Sequence, residues 1–480
     1  MICTRSPAKD FSGVFLLVVL LVFSGCAPPG HSSSGSSPAM RSGNGRLSLF
    51  LNLKEARGPD LEMRIREIEL LSDSGSWQPL TAGVVTVRSG TIGDGQVFVA
   101  RSSLAPGYYL RLRVTLASAS LRQAMDEQIP LVPETSVVEV GIPAPLYIGK
   151  GDSRSLFLSW DVQASLVERT GFTPVFQLAP RLKNLIADVA YVACPDIDTV
   201  FMIRTDKNRV LDSLGVAGGP TYLFRAPYVP AENLYALTPE DLGVKRIAAA
   251  ANRVVETYRL SMSGKPTHMA LGPAGRRAYL IDRKRGNILR MDLQSGNVDL
   301  RARLGYGPVY ILYMKKWNLL AVSFSLSQTV VLVDPEQLSP VRTISTSVRP
   351  EGLAVWKDRL LYIAESGSNT VLQYDLVQGR IVRRIPVGFS PRRILALDNM
   401  IYVTDYGSKS ISMLRPGQLG VTRAISLSGR PLELVDVPNR KLIYVGNEDH
   451  QSITIIDPVT MKSLGSIQLG ARPAGIAVMN

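Results

Sequence analysis

Four short apolar runs follow one another within a stretch of about forty residues: RPEGLAV (349–355), LLYIA (360–364), TVLQYD (370–375) and IVRRIPV (381–387). β-Branched and aromatic residues dominate these runs, and Gly, Asn, Asp, Ser and Pro lie between them, as in short strands joined by turns. The first three runs are almost wholly apolar, which is expected of strands covered on both faces. The fourth alternates, which is expected of an edge strand facing solvent.

The same unit recurs from about residue 190 to residue 480, and a proline stands before the first strand of each copy. These prolines follow Gly, Ser, Lys or Arg and lie at positions 220, 266, 308, 350, 391, 431 and 473. A period of 40–46 residues filled with short strands is typical of a β-propeller. Seven copies predict seven blades, of which the second is the weakest because its third run (244–252) is rich in alanine.

The two ends of the repeated region are out of phase with each other. It opens with a second-strand run, VAYVA (189–193), and closes with a lone first-strand run, IAV (476–478). We expect the last run to pair as the innermost strand of the first blade, because this closes the ring and leaves no unpaired inner edge.

Three features of the repeat resemble the bacterial YVTN-type propeller family: the Tyr-Val/Ile core strand, the Ile-x-Ile-Ile-Asp strand (453–457) and the Gly/Arg-x-Pro loop. The resemblance covers roughly residues 187–480. It implies a seven-bladed β-propeller and is silent on chemistry.

Residues 46–186 lack this period. Alternating runs such as RLSLFLNL (46–53) and MRIREIEL (63–70) predict an antiparallel β-sandwich of about eight short strands. The run at 104–116, taken with that at 65–72, resembles a β-sandwich domain of unknown function found in bacterial surface lipoproteins. This resemblance implies a fold and no activity.

The N-terminal segment 1–26 is typical of an export signal. Arg5 and Lys9 precede an apolar run (14–23) that is too short to span a bilayer. The run ends in FSGC, which resembles a lipoprotein cleavage box with Cys26 as the lipidated residue; an ordinary secretory signal is the alternative. Residues 27–45 are rich in Ser, Gly and Pro and predict a flexible tether. We therefore expect an exported lipoprotein of the cell envelope, at the outer membrane, in the periplasm or at the cell surface.

The formal net charge is +14, and the repeated region holds 36 Lys and Arg against 25 Asp and Glu. In a propeller, the loops leading into the innermost strands and those between second and third strands share one face, at the mouth of the channel. The candidate ligand-binding residues on that face are Lys265, His268, Arg349, Glu351, Arg392, Arg430, Glu433 and Arg472.

A basic mouth favours a protein or an anionic polymer as partner. The alternative is that these arginines pair with nearby carboxylates and tie adjacent blades together. Nucleic acid is not expected, because the protein is predicted to be exported and aromatic residues do not alternate with the basic residues along the sequence.

The main interpretation is a non-enzymatic binding or scaffold protein, and the alternative is a metal-dependent propeller hydrolase or lyase of the lactonase kind. Such an enzyme needs carboxylates or histidines converging at the channel, and the candidates are Glu351, Glu365, Asp405 and Glu433, although no spacing indicates that they converge. No sequence motif for a haem or a nucleotide is present, so we expect no cofactor. Cys194 is expected to be a buried, inert thiol.

Overall fold

The computed structural model describes residues 43–123, 127–168, 170–179, 188–225, 233–260, 264–272 and 275–479. The predicted export segment, Cys26 and most of the predicted tether lie outside these residues. Within them the chain is almost entirely β-structure arranged in many four-stranded sheets, and the all-β propeller class is confirmed. No helix in the described ranges is long and apolar enough to cross a membrane.

The N-terminal region contains twelve strands and two single-turn helices. The strands are β1 (Gly45–Leu53), β2 (Asp60–Ser72), β3 (Trp77–Pro79), β4 (Val85–Arg88), β5 (Val97–Leu104), β6 (Gly107–Arg122), β7 (Gln128–Pro133), β8 (Val137–Ile148), β9 (Ser153–Asp161), β10 (Leu166–Val167), β11 (Gly171–Phe172) and β12 (Val175–Leu178). The helices are α1 (Ser89–Ile92) and α2 (Val162–Ser165). One sheet has the order β12-β9-β1-β5, and the remaining strands form a second sheet around β2 and β6. Alternate residues of both sheets, such as Leu49, Ile68 and Trp160, share one fully buried apolar core.

The prediction that this region is antiparallel throughout is wrong. Strands β1 and β9 pair in parallel, from Arg46 opposite Ser153 to Leu53 opposite Trp160, and β7 and β11 also pair in parallel. Apolar alternation determines which face of a sheet a side chain occupies, but it does not determine which distant strand lies alongside or in which direction.

The repeated region forms seven four-stranded antiparallel sheets, numbered 1 to 7 in chain order. The strands of sheets 1 to 3 are β13 (Val189–Cys194), β14 (Thr199–Arg204), β15 (Arg209–Gly215), β16 (Tyr222–Arg225), β17 (Asn233–Thr238), β18 (Gly243–Ala248), β19 (Arg253–Arg259), β20 (Pro266–Leu271), β21 (Arg277–Asp282), β22 (Asn287–Asp292) and β23 (Val298–Arg303). Those of sheets 4 and 5 are β24 (Pro308–Met314), β25 (Leu319–Phe324), β26 (Thr329–Val333), β27 (Pro340–Ser345), β28 (Pro350–Trp356), β29 (Leu360–Glu365), β30 (Thr370–Asp375) and β31 (Arg380–Pro386).

Sheets 6 and 7 follow, and the last strand returns to sheet 1. These strands are β32 (Pro391–Leu397), β33 (Met400–Asp405), β34 (Ser410–Leu414), β35 (Val421–Ser426), β36 (Pro431–Val437), β37 (Leu442–Asn447), β38 (Ser452–Asp457), β39 (Lys462–Gln468) and β40 (Gly475–Met479). In the part of the chain that the structure describes, three 3-10 turns link strands, at Pro195–Ile197, Lys315–Trp317 and Pro438–Arg440.

The C-terminal strand closes the ring as predicted. Sheet 1 has the order β15-β14-β13-β40, and Ala190 on β13 lies opposite Val478 on β40. Each innermost strand contacts the next, from β40 through β16, β20, β24, β28, β32 and β36 back to β40. The second and third strands of each sheet are largely buried, whereas outer strands such as β39 are mostly exposed, which agrees with the sequence patterns.

The N-terminal sheets and the propeller share buried contacts. Phe50 and Phe157 lie in one apolar cluster with Phe201 and residues of sheets 1 and 7. The Arg101 guanidinium donates to the carbonyl oxygens of Leu469 and Gly470, both at 2.7 Å. Burial lowers the pKa of Arg101 to about 10. These contacts hold the N-terminal sheets in a fixed orientation on the propeller.

Cys194 belongs to the same cluster and is fully buried, as predicted. Burial raises the pKa of its thiol to about 12, so the reactive thiolate is suppressed.

Candidate functional site: the mouth and channel of the propeller

The two sets of loops predicted to form the mouth are hydrogen-bonded to each other. The backbone N–H of Ser366 donates to the carbonyl oxygen of Arg349 (2.9 Å), and that of Glu448 donates to Arg430 (2.9 Å). Because the first residue of each pair follows a second strand and the other precedes an innermost strand, both sets of loops lie on one face.

One sector of this face is a closed polar network. Arg472 donates to both carboxylate oxygens of Asp196 (2.8 and 2.9 Å) and to Glu448 (3.1 Å). The Glu448 carboxylate also accepts a 2.5 Å hydrogen bond from the Tyr406 hydroxyl. These residues come from sheets 6, 7 and 1, so the network ties adjacent sheets together. For Arg472 this agrees with the alternative that the mouth arginines pair with nearby carboxylates. The hydrogen bond to Asp196 raises the pKa of Arg472, so the guanidinium stays charged and its charge is paired with carboxylates of the protein itself.

Two more predicted cations pack against an aromatic ring. The guanidinium carbons of Arg392 and Arg430 lie 3.9 and 5.5 Å from the centre of the Tyr406 ring, and Arg430 is also 3.9 Å from Asp449. Although aromatic residues do not alternate with the basic residues along the sequence, the fold therefore brings an aromatic ring beside two of them. This ring is already in contact with the protein's own cations. Lys265 and Arg349 differ, because both are exposed and form no ion pair with the described residues.

The adjoining sector of the mouth is apolar and exposed. Tyr306, Leu326, Val348 and Phe389 lie in loops of sheets 4, 5 and 6, with exposed fractions of 61%, 74%, 47% and 67%. We call these four residues the mouth crescent. Tyr306, Val348 and Phe389 each lie two residues before the repeat proline.

A second set of side chains occupies the channel. The residues two positions after the repeat prolines are Tyr222, His268, Tyr310, Gly352, Arg393, Glu433 and Gly475. Apart from the two glycines, these residues place side chains in the channel. Glu351, which directly follows its repeat proline and precedes Gly352, also lies there. We call Tyr222, His268, Tyr310, Glu351, Arg393 and Glu433 the channel cluster.

Arg393 shows that this cluster spans the ring. Its side chain is 3.4 Å from Glu433 on sheet 7 and 3.7 Å from Glu351 on sheet 5. Its guanidinium carbon is also 5.1 Å from the centre of the Tyr310 ring, which belongs to sheet 4. Sheets 4 and 6 are not neighbours, so this contact crosses the central channel.

The channel cluster contains one guanidinium and two carboxylates, so its formal net charge is −1 when both carboxylates are ionised. Burial raises the pKa of Glu433, although Arg393 opposes this effect. Burial lowers the pKa of Arg393, but the carboxylates of Glu433 and Glu351 more than offset it, so the guanidinium stays charged.

His268 is held between two tyrosines in the same channel. Its ring centre lies 4.0 Å from that of Tyr222 and 4.1 Å from that of Tyr310, and only 2% of the residue is exposed. Neither ring nitrogen has a hydrogen-bond partner in the described part of the chain. Burial, with a smaller contribution from Arg393, lowers the pKa of His268 well below 6.5, so the ring is neutral at pH 7.

The structure thus divides the sequence-predicted site residues into two groups. His268, Glu351 and Glu433 meet in the channel, whereas the five predicted cations lie on the rim. Arg393, Tyr222 and Tyr310 were missed. Their common position relative to the repeat proline is the signal that identifies them.

The four carboxylates considered as metal ligands do not converge. Glu365 accepts from Arg384 (3.1 Å) and Thr370 (2.7 Å), and Asp405 accepts from Ser412 (2.6 Å). Glu351 and Glu433 share Arg393 instead. Within the described ranges no three His, Cys, Asp or Glu residues form a group that could hold a metal ion.

Comparisons with known proteins support the fold. No protein-family model matches the chain. Two curated relatives, both the uncharacterized protein YncE, are 27% identical (Salmonella typhi) and 26% identical (Salmonella typhimurium) over 144 residues. The match covers 29% of this chain and 40% of each relative, so the chain spans less than half the length of these relatives.

Among solved structures, a functionally unknown protein from Desulfotomaculum acetoxidans is 11% identical, with a TM-score of 0.53 and coverage of 61% of this chain and 99% of that one. The dihydro-heme d1 dehydrogenase NirN is 14% identical, with a TM-score of 0.47 and coverage of 60% and 65% of the two chains. Kuenenia stuttgartiensis hydrazine synthase is 16% identical, with a TM-score of 0.44 and coverage of 55% and 90%. The seven four-stranded sheets of the described residues define a propeller-type β-protein. The likenesses to known proteins are too distant to assign an activity.

Proposed function

We propose that this protein is an exported, lipid-anchored binding protein and that its propeller mouth docks a protein partner. The observation that carries the proposal is the mouth crescent. Four large apolar side chains that are each about half exposed or more, on three consecutive sheets, form a surface that soluble proteins usually keep for interactions.

The fold itself does not require these large side chains. The position two residues before the repeat proline is occupied by Gly218, Gly264, Gly429 or Ala471 in the other sheets. Because the same loop accommodates glycine elsewhere, the apolar bulk in sheets 4 to 6 is better explained by a contact outside the chain.

The charge distribution favours a protein over an anionic polymer. Arg472 is committed to Asp196 and Glu448, and Arg392 stacks on Tyr406. The side chains of Lys265 and Arg349 remain at the rim without an ion-pair partner among the described residues. The apolar mouth crescent, with only a few unpaired cations near it, suits a protein surface that presents apolar residues beside acidic ones.

The tether and the shared core give this surface a defined setting. The sequence predicts a tether of about twenty residues after Cys26, and a random coil of that length would reach roughly 25 Å from a lipid anchor. The contacts of Arg101 and Phe50 with the propeller fix the mouth relative to the N-terminal sheets.

The test uses a crescent variant and a matched control. Phe389→Asp with Val348→Asp places charges in the crescent, whereas Val459→Asp changes a residue 75% exposed in the turn between β38 and β39, on the opposite face. After cross-linking in the native cell envelope, we expect wild type and Val459→Asp to retain the same partner and the crescent variant to lose it at least tenfold.

Two outcomes contradict the proposal. One is a partner retained by the crescent variant or lost equally by Val459→Asp. The other is salt-sensitive binding to heparin that Lys265→Glu with Arg349→Glu abolishes and the crescent variant does not, which would indicate an anionic polymer.

A further inference from the structure

We propose that the channel cluster is a second binding site, separate from the mouth, for a small, uncharged, polyhydroxylated molecule such as a monosaccharide or cyclitol. The site is built from side chains of six sheets that converge on the axis of the ring.

The unsatisfied groups of His268 point to a ligand. Burying a polar atom without a hydrogen-bond partner destabilises a fold, and both ring nitrogens of His268 are in this state within the described structure. Its packing between Tyr222 and Tyr310 restricts rotation of the ring. A neutral imidazole presents one donor and one acceptor, so its natural partner is a group that can both accept and donate.

The neighbouring groups make the same demand. The Tyr222 and Tyr310 hydroxyls can donate or accept, the Glu351 carboxylate accepts, and the Arg393 guanidinium donates. The side chains of Glu351, Arg393 and Glu433 keep 16%, 15% and 13% of their surface exposed, so solvent-accessible space adjoins them. A molecule with several hydroxyl groups can meet donors and acceptors at once, beside aromatic rings that accommodate its C–H faces.

The charges argue against an ionic ligand. Two carboxylates flank the one guanidinium of Arg393, so an anion meets an excess of negative charge. Both carboxylates already contact Arg393, so a cation would have to compete with the guanidinium for them. A neutral ligand loses less hydration on entering and leaves the Arg393–Glu433 pair intact.

The experiment observes His268 directly. The chain has three histidines, His31, His268 and His450, so side-chain nitrogen NMR of protein labelled at histidine gives few signals. The probes are glucose and myo-inositol, with gluconate as the anionic and glucosamine as the cationic comparison. We expect at least one neutral probe to shift the His268 signals with a Kd of about 1 mM or tighter, and both ionic probes to bind at least tenfold more weakly.

Four variants give the result its specificity. His268→Phe keeps a ring between the tyrosines but removes both nitrogens, and we expect at least tenfold weaker binding of the neutral probe by calorimetry. Tyr310→Phe removes one hydroxyl and should weaken binding less. His450→Phe, at an exposed loop position, and Phe389→Asp, in the mouth crescent, should bind the probe as wild type does.

The proposal is overturned if neither neutral probe moves the His268 signals at about 10 mM, if gluconate or glucosamine binds in preference, or if His268→Phe binds unchanged. Because Phe389→Asp tests the mouth alone, failure of the channel site and failure of the docking function give different results.

Discussion

Removing the positive charge from the channel gives a sharp test of how the cluster is held together. In Arg393→Met the Glu433 carboxylate loses a partner at 3.4 Å while its side chain stays 13% exposed. Removing one member of a buried ion pair costs about 3–5 kcal/mol, and the remaining exposure of both groups places the expected loss near the lower end, about 3 kcal/mol at pH 7. Equilibrium urea unfolding measures the loss, and we expect Arg393→Met with Glu433→Gln to recover most of it.

The pH dependence of the same variant has a definite sign. Without Arg393, burial raises the pKa of Glu433 further above its ordinary value of 4.5. A carboxyl whose pKa is raised in the folded state contributes stability below its unfolded pKa and loses it as pH rises through the folded value. The deficit of Arg393→Met should therefore be smaller at pH 5 than at pH 8. A loss below about 1 kcal/mol, no recovery in the double variant, or a deficit independent of pH refutes the reasoning.

Three further predictions concern other parts of the chain. Burial raises the pKa of Asp405 from 3.8 to about 6, so the protonated carboxyl contributes its full stability below pH 3.8 and this contribution is lost as pH rises through about 6. Asp405→Asn should therefore flatten the pH profile of Tm between these values and leave the protein about 1–2 kcal/mol more stable than wild type at pH 8. Parallel pH profiles for the variant and wild type would contradict this. In Gly475→Val the new Cβ would lie 2.8 Å from the backbone of the neighbouring strand β16, so calorimetry should show about 1–3 kcal/mol of destabilisation. The control is Gly420→Val, which places its Cβ in open space and should be nearly neutral. Equal effects of the two substitutions would contradict the close approach at Gly475. Cys26→Ser should move the protein from the membrane fraction to the soluble fraction on immunoblots of fractionated cells, and unchanged membrane association contradicts lipid anchoring.

The strand order of the propeller follows from the sequence because seven copies repeat the same apolar pattern. The channel residues do not follow from it as simply. The innermost strands carry bulges just after the proline, for example between Pro391 and Ile394 on β32 and between Pro431 and Leu434 on β36. A bulge breaks simple alternation, so counting outward from the strand core misplaces the channel-facing residue by one. Arg392 and Arg393 are neighbours in the sequence, yet only Arg393 contacts the channel carboxylates.

Contacts between elements far apart in sequence were not predictable at all. The parallel pairing of β1 with β9 depends on which strands become neighbours, and no local pattern encodes this. Arg101 looks like an ordinary surface arginine on an alternating strand, yet it donates to carbonyls of Leu469 and Gly470 across the molecule. Likewise, the pairing of Arg472 with Asp196 could be weighed only as an alternative until the ring was seen to close.

Both proposed binding sites require that β40 completes the first sheet, and cysteine trapping of that pairing is the most direct measurement. Ala190 and Val478 are register partners, whereas Ala477 points to the other face of β40. In a chain lacking Cys26 and Cys194, Ala190→Cys with Val478→Cys should form a disulfide on mild oxidation, seen by mass spectrometry, while Ala190→Cys with Ala477→Cys should remain reduced. Equal yields for the two pairs, or no disulfide in the register pair, would contradict a closed ring.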